Sequence, residues 1–276
     1  MSRHLPFPSS HGPFRADHVR DGDPYEISAG HAIRVMPTGS RGSDAAATAA
    51  IVLKSDPAVE QAGVETGYKL ASDTLRAPDV AVGNVPLKPG WVTGAPPLAV
   101  EYADTGQDEA DLKTKIREFF AGGTRFVWVV RLSGPRRVEV YEPGREKRLA
   151  HAGDQLEAPG ILRNPVPVEA LYDWQVGQEV ALRNLLQRHG YESLEAVRAE
   201  GEATGEAKGK AEGKAEGQLE ALRGAILDLF TVRGLAASEE VKATIAACSD
   251  VGLLKRWHLR AAIAADAADI YFDDSK

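Results

Sequence analysis

The sequence predicts an α/β fold of the α+β kind, in which helices flank a mixed sheet and a C-terminal α-helical extension follows. Three observations lead to this prediction. Apolar runs of four to five residues, rich in Val, recur in the first part of the chain and are typical of buried strands. Two helix patterns interrupt these runs, in the order hairpin, helix, strands, helix, strand, strand. The last part of the chain carries only helix patterns.

Composition divides the chain into four segments. Residues 1–20 are rich in Pro, Ser, His and Gly without periodicity, so we expect a disordered arm. Residues 21–175 carry the strand patterns and form the main domain. Residues 176–218 are a polar, helix-biased connector, and residues 219–276 form a small helical domain.

The first half of the main domain predicts a hairpin, a helix and two strands. Two alternating runs, 25–28 and 31–35, flank an Ala-Gly turn as in a β-hairpin. The Ala-rich run at 43–53 follows as a helix. The runs at 63–70 and 78–82 then indicate strands, with a turn between them.

The second half predicts a further strand, a helix and a strand pair. A Pro- and Gly-rich loop at 85–97 precedes the strand at 98–102. The helix at 108–121 has one apolar stripe and stops at a Gly-Gly pair. The runs at 125–132 and 137–141 form the final strand pair. The stripe consists of Leu112, Ile116, Phe119 and Phe120.

Two carboxylates stand in unusual positions at the ends of Val-rich runs. Asp79 begins one such run and Glu101 lies near the end of the next, while Lys115 lies on the helix that follows. Acids at the margin of an apolar sheet repel each other and lose hydration. A hard cation such as Mg²⁺ takes oxygen ligands and offsets that cost. The three side chains are therefore candidates for one metal-dependent site.

Several short motifs in order carry a family resemblance. They resemble the bacterial Uma2 family, also called DUF820, over about residues 24–173. That family is similar to the PD-(D/E)XK nucleases, so the resemblance implies a restriction-endonuclease-like core. The motifs are Tyr25-Glu26-Ile27, Glu65-Thr66-Gly67-Tyr68, Arg76-Ala77-Pro78-Asp79-Val80-Ala81, Leu98-Ala99-Val100-Glu101, Lys115 within KIREFFAGG, and Phe126-Val127-Trp128-Val129-Val130.

The resemblance implies a role for each central residue. Asp79 and Glu101 become the metal-binding carboxylates, and Lys115 becomes the catalytic ammonium. Glu65 is a further candidate, as a third metal ligand or to orient water. The standard nuclease motif has its lysine two residues after the acid, where this chain has alanine, and the Uma2 pattern supplies the lysine from the next helix. Lys113 is the fallback; it lies about 200° around that helix from Lys115.

A purely structural interpretation is open for each of these residues. Lys115 could be an exposed lysine that pairs with Asp111 one turn earlier on the helix. Asp79 could accept a hydrogen bond in a turn at the strand edge. Glu101 could pair with an arginine, and Glu65 could be an exposed strand residue.

The resemblance implies a metal-dependent endonuclease that uses Mg²⁺ or Mn²⁺ to hydrolyse phosphodiester bonds, with DNA as the expected nucleic acid. The alternative is an inactive nuclease-like fold that serves as a binding or assembly module with an oligomerising helical tail. Departures from the family pattern favour that alternative. Ala103-Asp104-Thr105 stands where the family commonly has Ser-Pro-Ser, and Arg131 stands where an acid usually follows the Trp strand.

The charge balance excludes a general electrostatic attraction to nucleic acid. The chain has 33 basic and 40 acidic residues, a net charge of −7. Contact with DNA would depend on local clusters such as Arg136-Arg137 and Lys147-Arg148. These clusters could equally be solvated loop charges.

Other motifs exclude several classes of protein. The single cysteine, Cys248, excludes an internal disulfide and fits a reducing compartment. The histidines lack zinc-site spacing, and neither a nucleophile-elbow motif nor a phosphate-binding loop is present. No apolar run approaches the ~18 residues of a membrane span and no signal peptide is visible, so we expect a cytoplasmic protein with no membrane contact.

Glycine recurs at every fourth position of the connector. Five glycines cost a helix roughly 4–5 kcal/mol against alanine, so an isolated helix is marginal. Either another backbone packs on the glycines, as in a dimer, or the segment is a flexible spacer. The C-terminal helices are the expected place for homo-oligomer contacts. The glycines are Gly201, Gly205, Gly209, Gly213 and Gly217.

Overall fold

A computed structural model describes residues 12–106 and 108–271. The chain divides into two compact units, one up to Leu194 and one from Glu195 onward. Mixed sheets flanked by helices form the first unit and helices form the second, so the predicted fold class is confirmed. Within the described ranges, no helix has both the length and the apolar character needed to cross a bilayer.

The elements of the chain are as follows. The strands are β1 (Tyr25–Ser28), β2 (His31–Arg34), β3 (Ala62–Val64), β4 (Tyr68–Ala71), β5 (Thr74–Arg76), β6 (Val80–Val82), β7 (Val92–Thr93), β8 (Leu98–Ala103), β9 (Phe126–Arg131), β10 (Arg137–Tyr141), β11 (Arg148–His151), β12 (Gln155–Leu156) and β13 (Val166–Pro167). The helices are α1 (Ser40–Ser55), α2 (Glu109–Gly122), α3 (Trp174–Arg188), α4 (Leu194–Arg233), α5 (Glu239–Ala247) and α6 (Val251–Ala261).

The larger sheet has the strand order β11-β10-β9-β8-β6-β3. Strands β8 and β9 are parallel, because α2 connects them, and the other neighbours are antiparallel. A second sheet has the order β2-β1-β5-β4-β7, and β12 pairs with β13. The predicted hairpin is β1 and β2.

The two faces of the larger sheet pack against different helices. Val100 and its alternate neighbours in β8 join the cluster that contains residues of α1 and α3. Ala99 and Ala103 lie in the cluster that contains the apolar stripe of α2. Because side chains alternate along a strand, Glu101 shares the α2 face with these two alanines.

Helix α2 begins and ends where the sequence predicts. The Asp108 side chain accepts hydrogen bonds from the backbone N–H groups of Ala110 (2.9 Å) and Asp111 (3.0 Å), as an N-cap does. Gly123 closes the helix with φ = 107°, a left-handed conformation that glycine adopts readily. These two ends fix the register of the helix that carries Lys115.

The prediction of one strand at 63–70 is wrong. Its first part is β3 in the larger sheet and its last part is β4 in the second sheet. Glu65, between them, has φ = 47°, which breaks the extended conformation. The segment after β4 turns back into a strand, β5, that the sequence does not predict, and the predicted loop at 85–97 contains β7.

The boundary of the main domain at residue 175 is too early. Helix α3 packs against α1 within the first unit, and Val180, Ala181 and Asn184 are buried there. The Asn184 side chain donates to Oγ of Ser55 (3.1 Å), and the Arg188 Nε donates to the Ser55 carbonyl (2.8 Å). The polar side chains of α3 therefore bind the end of α1. Their polarity explains why the sequence of α3 resembles that of a connector.

The predicted disordered arm covers residues 1–20. Residues 1–11 lie outside the described part of the chain, and the prediction does not hold for residues 12–20. Ala16 and Val19 are buried in a cluster with Ile27 of β1 and Leu75 of β5. Short polar and proline-rich sequences can be ordered by a few such anchors, which periodicity does not reveal.

The second unit has its own small core. Its buried side chains come from the last turns of α4, from α5 and α6, and from the segment that follows α6. The glycine-rich connector is part of helix α4, and a Cβ added at any of its five glycines would have no neighbour within 4 Å. The buried residues include Ile226, Phe230, Val241, Ile245, Leu254 and Trp257.

Candidate functional site

Lys115 and Glu101 form an ion pair beneath α2. The Lys115 Nζ donates a hydrogen bond to Oε2 of Glu101 (3.0 Å) and lies 2.9 Å from Oε1. The Lys115 side chain is 12% exposed, so this is a partly buried pair. Asp111 pairs instead with Arg76 (3.1 Å), so the interpretation of Lys115 as an exposed partner of Asp111 is wrong. The partner of Glu101 is Lys115, so the interpretation of Glu101 as the partner of an arginine is also wrong.

Asp79 directly precedes the neighbouring strand, β6, and lies beside Glu101. The register pairs Val80 of β6 with Val100 of β8. Extended by one residue, the same register places Asp79 opposite Glu101. Directly opposed residues of antiparallel strands have Cβ atoms about 5 Å apart on the same face. The Asp79 Oδ2 accepts a hydrogen bond from the Tyr102 backbone N–H (2.6 Å). The two acids and the amine singled out from the sequence therefore lie together.

Glu26 is a member of this group that the sequence analysis did not assign. It lies on β1, is 8% exposed, and its Oε1 is 3.4 Å from the Lys115 Nζ. The same Oε1 accepts a hydrogen bond from the Ala77 N–H (3.1 Å). An acid between Tyr25 and Ile27 in a short apolar strand is the same signal that singled out Asp79, so this residue was open to prediction.

Arg76 connects Glu26 to helix α2. Its side chain is fully buried, with NH1 2.9 Å from Oε2 of Glu26 and Nε 2.5 Å from Oε2 of Glu118. The Glu118 Oε1 also accepts a hydrogen bond from the Ser28 hydroxyl (2.5 Å). Charge-assisted bonds of this kind have defined geometry. Arg76 thereby ties strands β1 and β5 to the helix that carries Lys115.

The pKa values of the site residues reflect burial among like charges. Burial raises the pKa of Glu101 to about 8; Lys115 opposes this shift, and the Asp79 and Glu26 carboxylates add to it. Burial also raises the pKa of Asp79. For Glu26, burial is outweighed by Lys115 and Arg76, so its pKa is lowered. Burial lowers the pKa of Lys115, but the surrounding carboxylates outweigh it and hold the pKa above its ordinary value.

Glu65 lies at the edge of the group and is exposed. Its backbone N–H donates to the Asp79 carbonyl (3.3 Å), and its charge adds to the raised pKa of Asp79. Lys113, the fallback for the catalytic amine, is exposed on α2, whereas Lys115 points to the carboxylates.

A cavity of about 580 Å³ opens onto this group. Glu26, Glu65, Asp79 and Lys115 contribute to its lining. Glu101 is not part of the lining and lies behind Lys115. A solute that enters the cavity therefore meets the ammonium and five carboxylates, because Asp21 and Asp23 also belong to the lining.

The residues present fit a divalent cation with two protein ligands. Oε1 of Glu101 is buried and, although it lies near the Lys115 ammonium, accepts no hydrogen bond of ordinary geometry. Together with Asp79 it offers hard oxygen donors. Mg²⁺ is commonly bound through one or two carboxylates plus waters and substrate phosphates. Among the residues that the structure describes, no group of three or more His, Cys, Asp or Glu side chains is arranged to hold a metal ion.

Comparison with known proteins identifies the family. The Uma2 family model, described as "Putative restriction endonuclease", matches residues 14–167, which is more than half of the chain. The chain belongs to the Uma2 family. The resemblance recognised from the sequence motifs is thus confirmed, and family membership supports a nuclease function. The search of curated proteins found no match.

A solved structure supports the fold assignment for this Uma2 protein. It is described as a "putative nuclease belonging to DUF820" from Anabaena variabilis ATCC 29413. The two chains are 20% identical with a TM-score of 0.50, and the match covers 59% of this chain and 99% of that chain. The likeness shows a common fold. The family match includes every residue of the site and ends before α3.

Proposed function

We propose that this Uma2 protein is a Mg²⁺- or Mn²⁺-dependent endonuclease of the PD-(D/E)XK type that hydrolyses phosphodiester bonds in DNA. The observation that carries the proposal is the convergence of Lys115 with Glu101 and Asp79, which are far apart in sequence, beside one cavity. Groups in a cleft whose pKa values are shifted by burial and by a specific charged partner are typical of functional sites. A site that hydrolyses phosphodiesters can use such carboxylates to hold a cation and the ammonium to stabilise negative charge.

Asp79 and Glu101 would hold the cation, and Glu65 is a further candidate ligand at the cavity mouth. When bound, a divalent cation supplies charge neutralisation at the scissile phosphate and a water of lowered pKa. Lys115 keeps its proton, because the carboxylates raise its pKa, and so can donate hydrogen bonds to a phosphate oxygen or to the attacking water. Glu26 holds the ammonium from a second side. No covalent enzyme intermediate is required.

Basic residues beyond the site support contact with a nucleic acid backbone. Arg137 and Lys147, from the two clusters noted in the sequence, both pair with Glu139, at 3.6 and 3.3 Å. Arg137 begins β10 opposite His151, whereas Lys147 directly precedes β11, so the clusters lie at opposite ends of this strand pair, and Glu139 offsets part of their charge. Such local charges would have to compensate for the net charge of −7.

A plasmid-nicking assay tests the proposal. Supercoiled DNA is incubated with Mn²⁺ or Mg²⁺ and with the wild-type, Asp79→Ala, Lys115→Ala or Lys113→Ala protein. We expect wild-type nicking to require the metal, and we expect the first two variants to lose at least about 100-fold in rate. Lys113→Ala is the matched control, because this exposed lysine lies two residues away on the same helix. Nicking that persists in both site variants would contradict the mechanism.

The alternative function is an inactive nuclease-like fold that binds or assembles with a partner. The acidic net charge and the absence of a three-ligand metal group among the described residues favour it. Isothermal titration with Mn²⁺ separates the two functions. An active site should bind the ion and lose that binding in Asp79→Ala, whereas the inactive module should bind it in neither protein.

The proposal also includes a cytoplasmic location and self-association through the C-terminal helices. Helix α4 exposes its connector half along its whole length, which leaves a surface for a second copy. Light scattering of the full-length protein over a range of concentrations checks this. A monomer at all concentrations would remove the oligomer from the proposal.

A further inference from the structure

We propose that the cavity beside Lys115 takes one unpaired nucleotide, so that the protein acts on single-stranded or locally opened DNA and discriminates against continuous duplex. This inference rests on the proposed function and specifies its substrate. Three features of the described residues support it: the depth of the reacting groups, the chemistry of the cavity walls, and the packing of Trp91.

The reacting groups are recessed. The side chains of Lys115 and Glu101 are 12% and 8% exposed, and Glu101 is reached only behind the lysine. A sphere with the volume of the cavity is about 10 Å across. The major groove of B-DNA is by itself ~12 Å wide, so the whole double helix is wider than the cavity. A double helix is therefore too wide to enter. A phosphate must come down to the site on a single strand.

The cavity has a charged wall and an apolar wall. The charged wall carries Lys115 and the carboxylates described above. The apolar wall includes Tyr25, Met36 and Trp91, and Met36 is 66% exposed. A nucleotide has the same two-sided character, with a charged phosphate and an aromatic base. The volume lies in the range of cavities that bind small molecules of this size.

Trp91 is held in a defined position at this wall. Its indole Nε1 donates a hydrogen bond to the Val19 carbonyl (2.9 Å). Its ring packs directly on the backbone of Gly67, where an added Cβ would lie only 2.5 Å from the ring. A half-buried, fixed aromatic ring is a stacking platform for an unpaired base, because each base has an aromatic face and stacking is tolerant of sequence.

Binding of labelled oligonucleotides tests the inference separately from cleavage. A fluorescein-labelled single strand and a blunt duplex of the same sequence are titrated in Ca²⁺ with full-length wild-type, Trp91→Ala, Trp91→Phe and Trp174→Ala protein. We expect the single strand to bind at least about 10-fold more tightly than the duplex. Trp91→Ala should lose about 10-fold for the single strand and Trp91→Phe much less. Trp174→Ala, at an exposed tryptophan on α3 outside the cavity lining, should bind as wild type does.

A second variant covers the case in which Trp91→Ala does not fold. Met36→Glu changes an exposed side chain of the apolar wall and should weaken single-strand binding by charge repulsion. Duplex binding as tight as single-strand binding, or unchanged binding by a folded Trp91→Ala or Met36→Glu protein, would overturn the inference. Mn²⁺-dependent cleavage of the same two oligonucleotides distinguishes the two failures. Equal cleavage of the single strand and the duplex would overturn only the inference about single-stranded substrate. Cleavage of neither oligonucleotide would overturn the proposed nuclease function, and the binding result would still decide whether the cavity takes an unpaired nucleotide.

Discussion

Glu101 is a carboxylate whose raised pKa has a measurable consequence. Its pKa in the folded protein is about 8, against 4.5 for an unperturbed glutamate. The unfolded chain therefore releases this proton first as the pH rises. Protonated Glu101 therefore contributes to the free energy of unfolding. This contribution is fully present below about pH 4.5 and is lost as the pH rises through about 8. The raised pKa of Asp79 acts in the same direction.

We therefore expect the metal-free protein to become less stable between about pH 5 and pH 8, and Glu101→Gln to flatten this dependence. Glutamine keeps the shape of the side chain and carries no charge to desolvate. Urea unfolding midpoints in EDTA at pH 5, 6, 7 and 8 measure the effect. A wild-type midpoint that is constant, or that rises, over this interval would contradict the pKa assignment.

Arg76 should be required for stability as well as for the geometry of the site. Arg76→Met removes the cation that the carboxylates of Glu26 and Glu118 share, and breaking a buried pair in this way costs about 3–5 kcal/mol. Equilibrium unfolding in urea measures the loss. Arg117→Met, at an exposed arginine of α2, is the control and should change stability little. A loss below about 1 kcal/mol for Arg76→Met would show that the ion pairs do not hold the site.

At the scale of elements, local signals predicted those parts of the fold that local contacts determine. Helix α2 has its Asp108 cap, its apolar stripe and its stop at Gly123 in the sequence, and all appear in the structure. The strands that carry Asp79 and Glu101 were predicted because both are continuous apolar runs. These elements were enough to bring Asp79, Glu101 and Lys115 forward as candidates, whose roles stay a prediction.

Elements set by distant contacts were not predictable in the same way. The run at 63–70 keeps its strand pattern although Glu65 takes a positive φ and the chain changes sheet there. Helix α3 resembles a connector because Asn184 and Arg188 are polar, yet their partners lie more than 100 residues earlier in α1. The acid of Glu26 in a short apolar strand was visible in the sequence, whereas its place beside Lys115 is set by the tertiary fold.

The glycines of helix α4 offer a test of whether propensity limits its stability. Gly209→Ala with Gly213→Ala adds methyl groups that have no neighbour within 4 Å, so no clash opposes the gain. Each substitution should stabilise the helix by up to about 1 kcal/mol. Helical circular dichroism during heating measures the change. Gly123→Ala is the contrasting control, since its φ of 107° should make the same substitution destabilising. Destabilisation by the α4 pair would reveal a partner backbone at that surface.

At the scale of the whole molecule, the first unit should fold without the second only if it retains α3. A protein of residues 1–192 should unfold cooperatively, whereas one of residues 1–175 should be insoluble or partly unfolded. Removal of α3 exposes the face of α1 that covers Val180 and Asn184. Circular dichroism and urea unfolding of the two proteins compare them. Equal stability would place the domain boundary where the sequence pattern first suggested it.

In its ionised form, Glu101 already has the Lys115 ammonium as its counterion before any other cation arrives. A divalent ion that approaches must compete with it, and the free energy of breaking that ion pair is subtracted from the metal affinity. Monovalent ions, with the same charge as the lysine, gain nothing from such an exchange. If the site binds a divalent cation as proposed, the built-in amine would favour ions of higher charge over sodium and potassium.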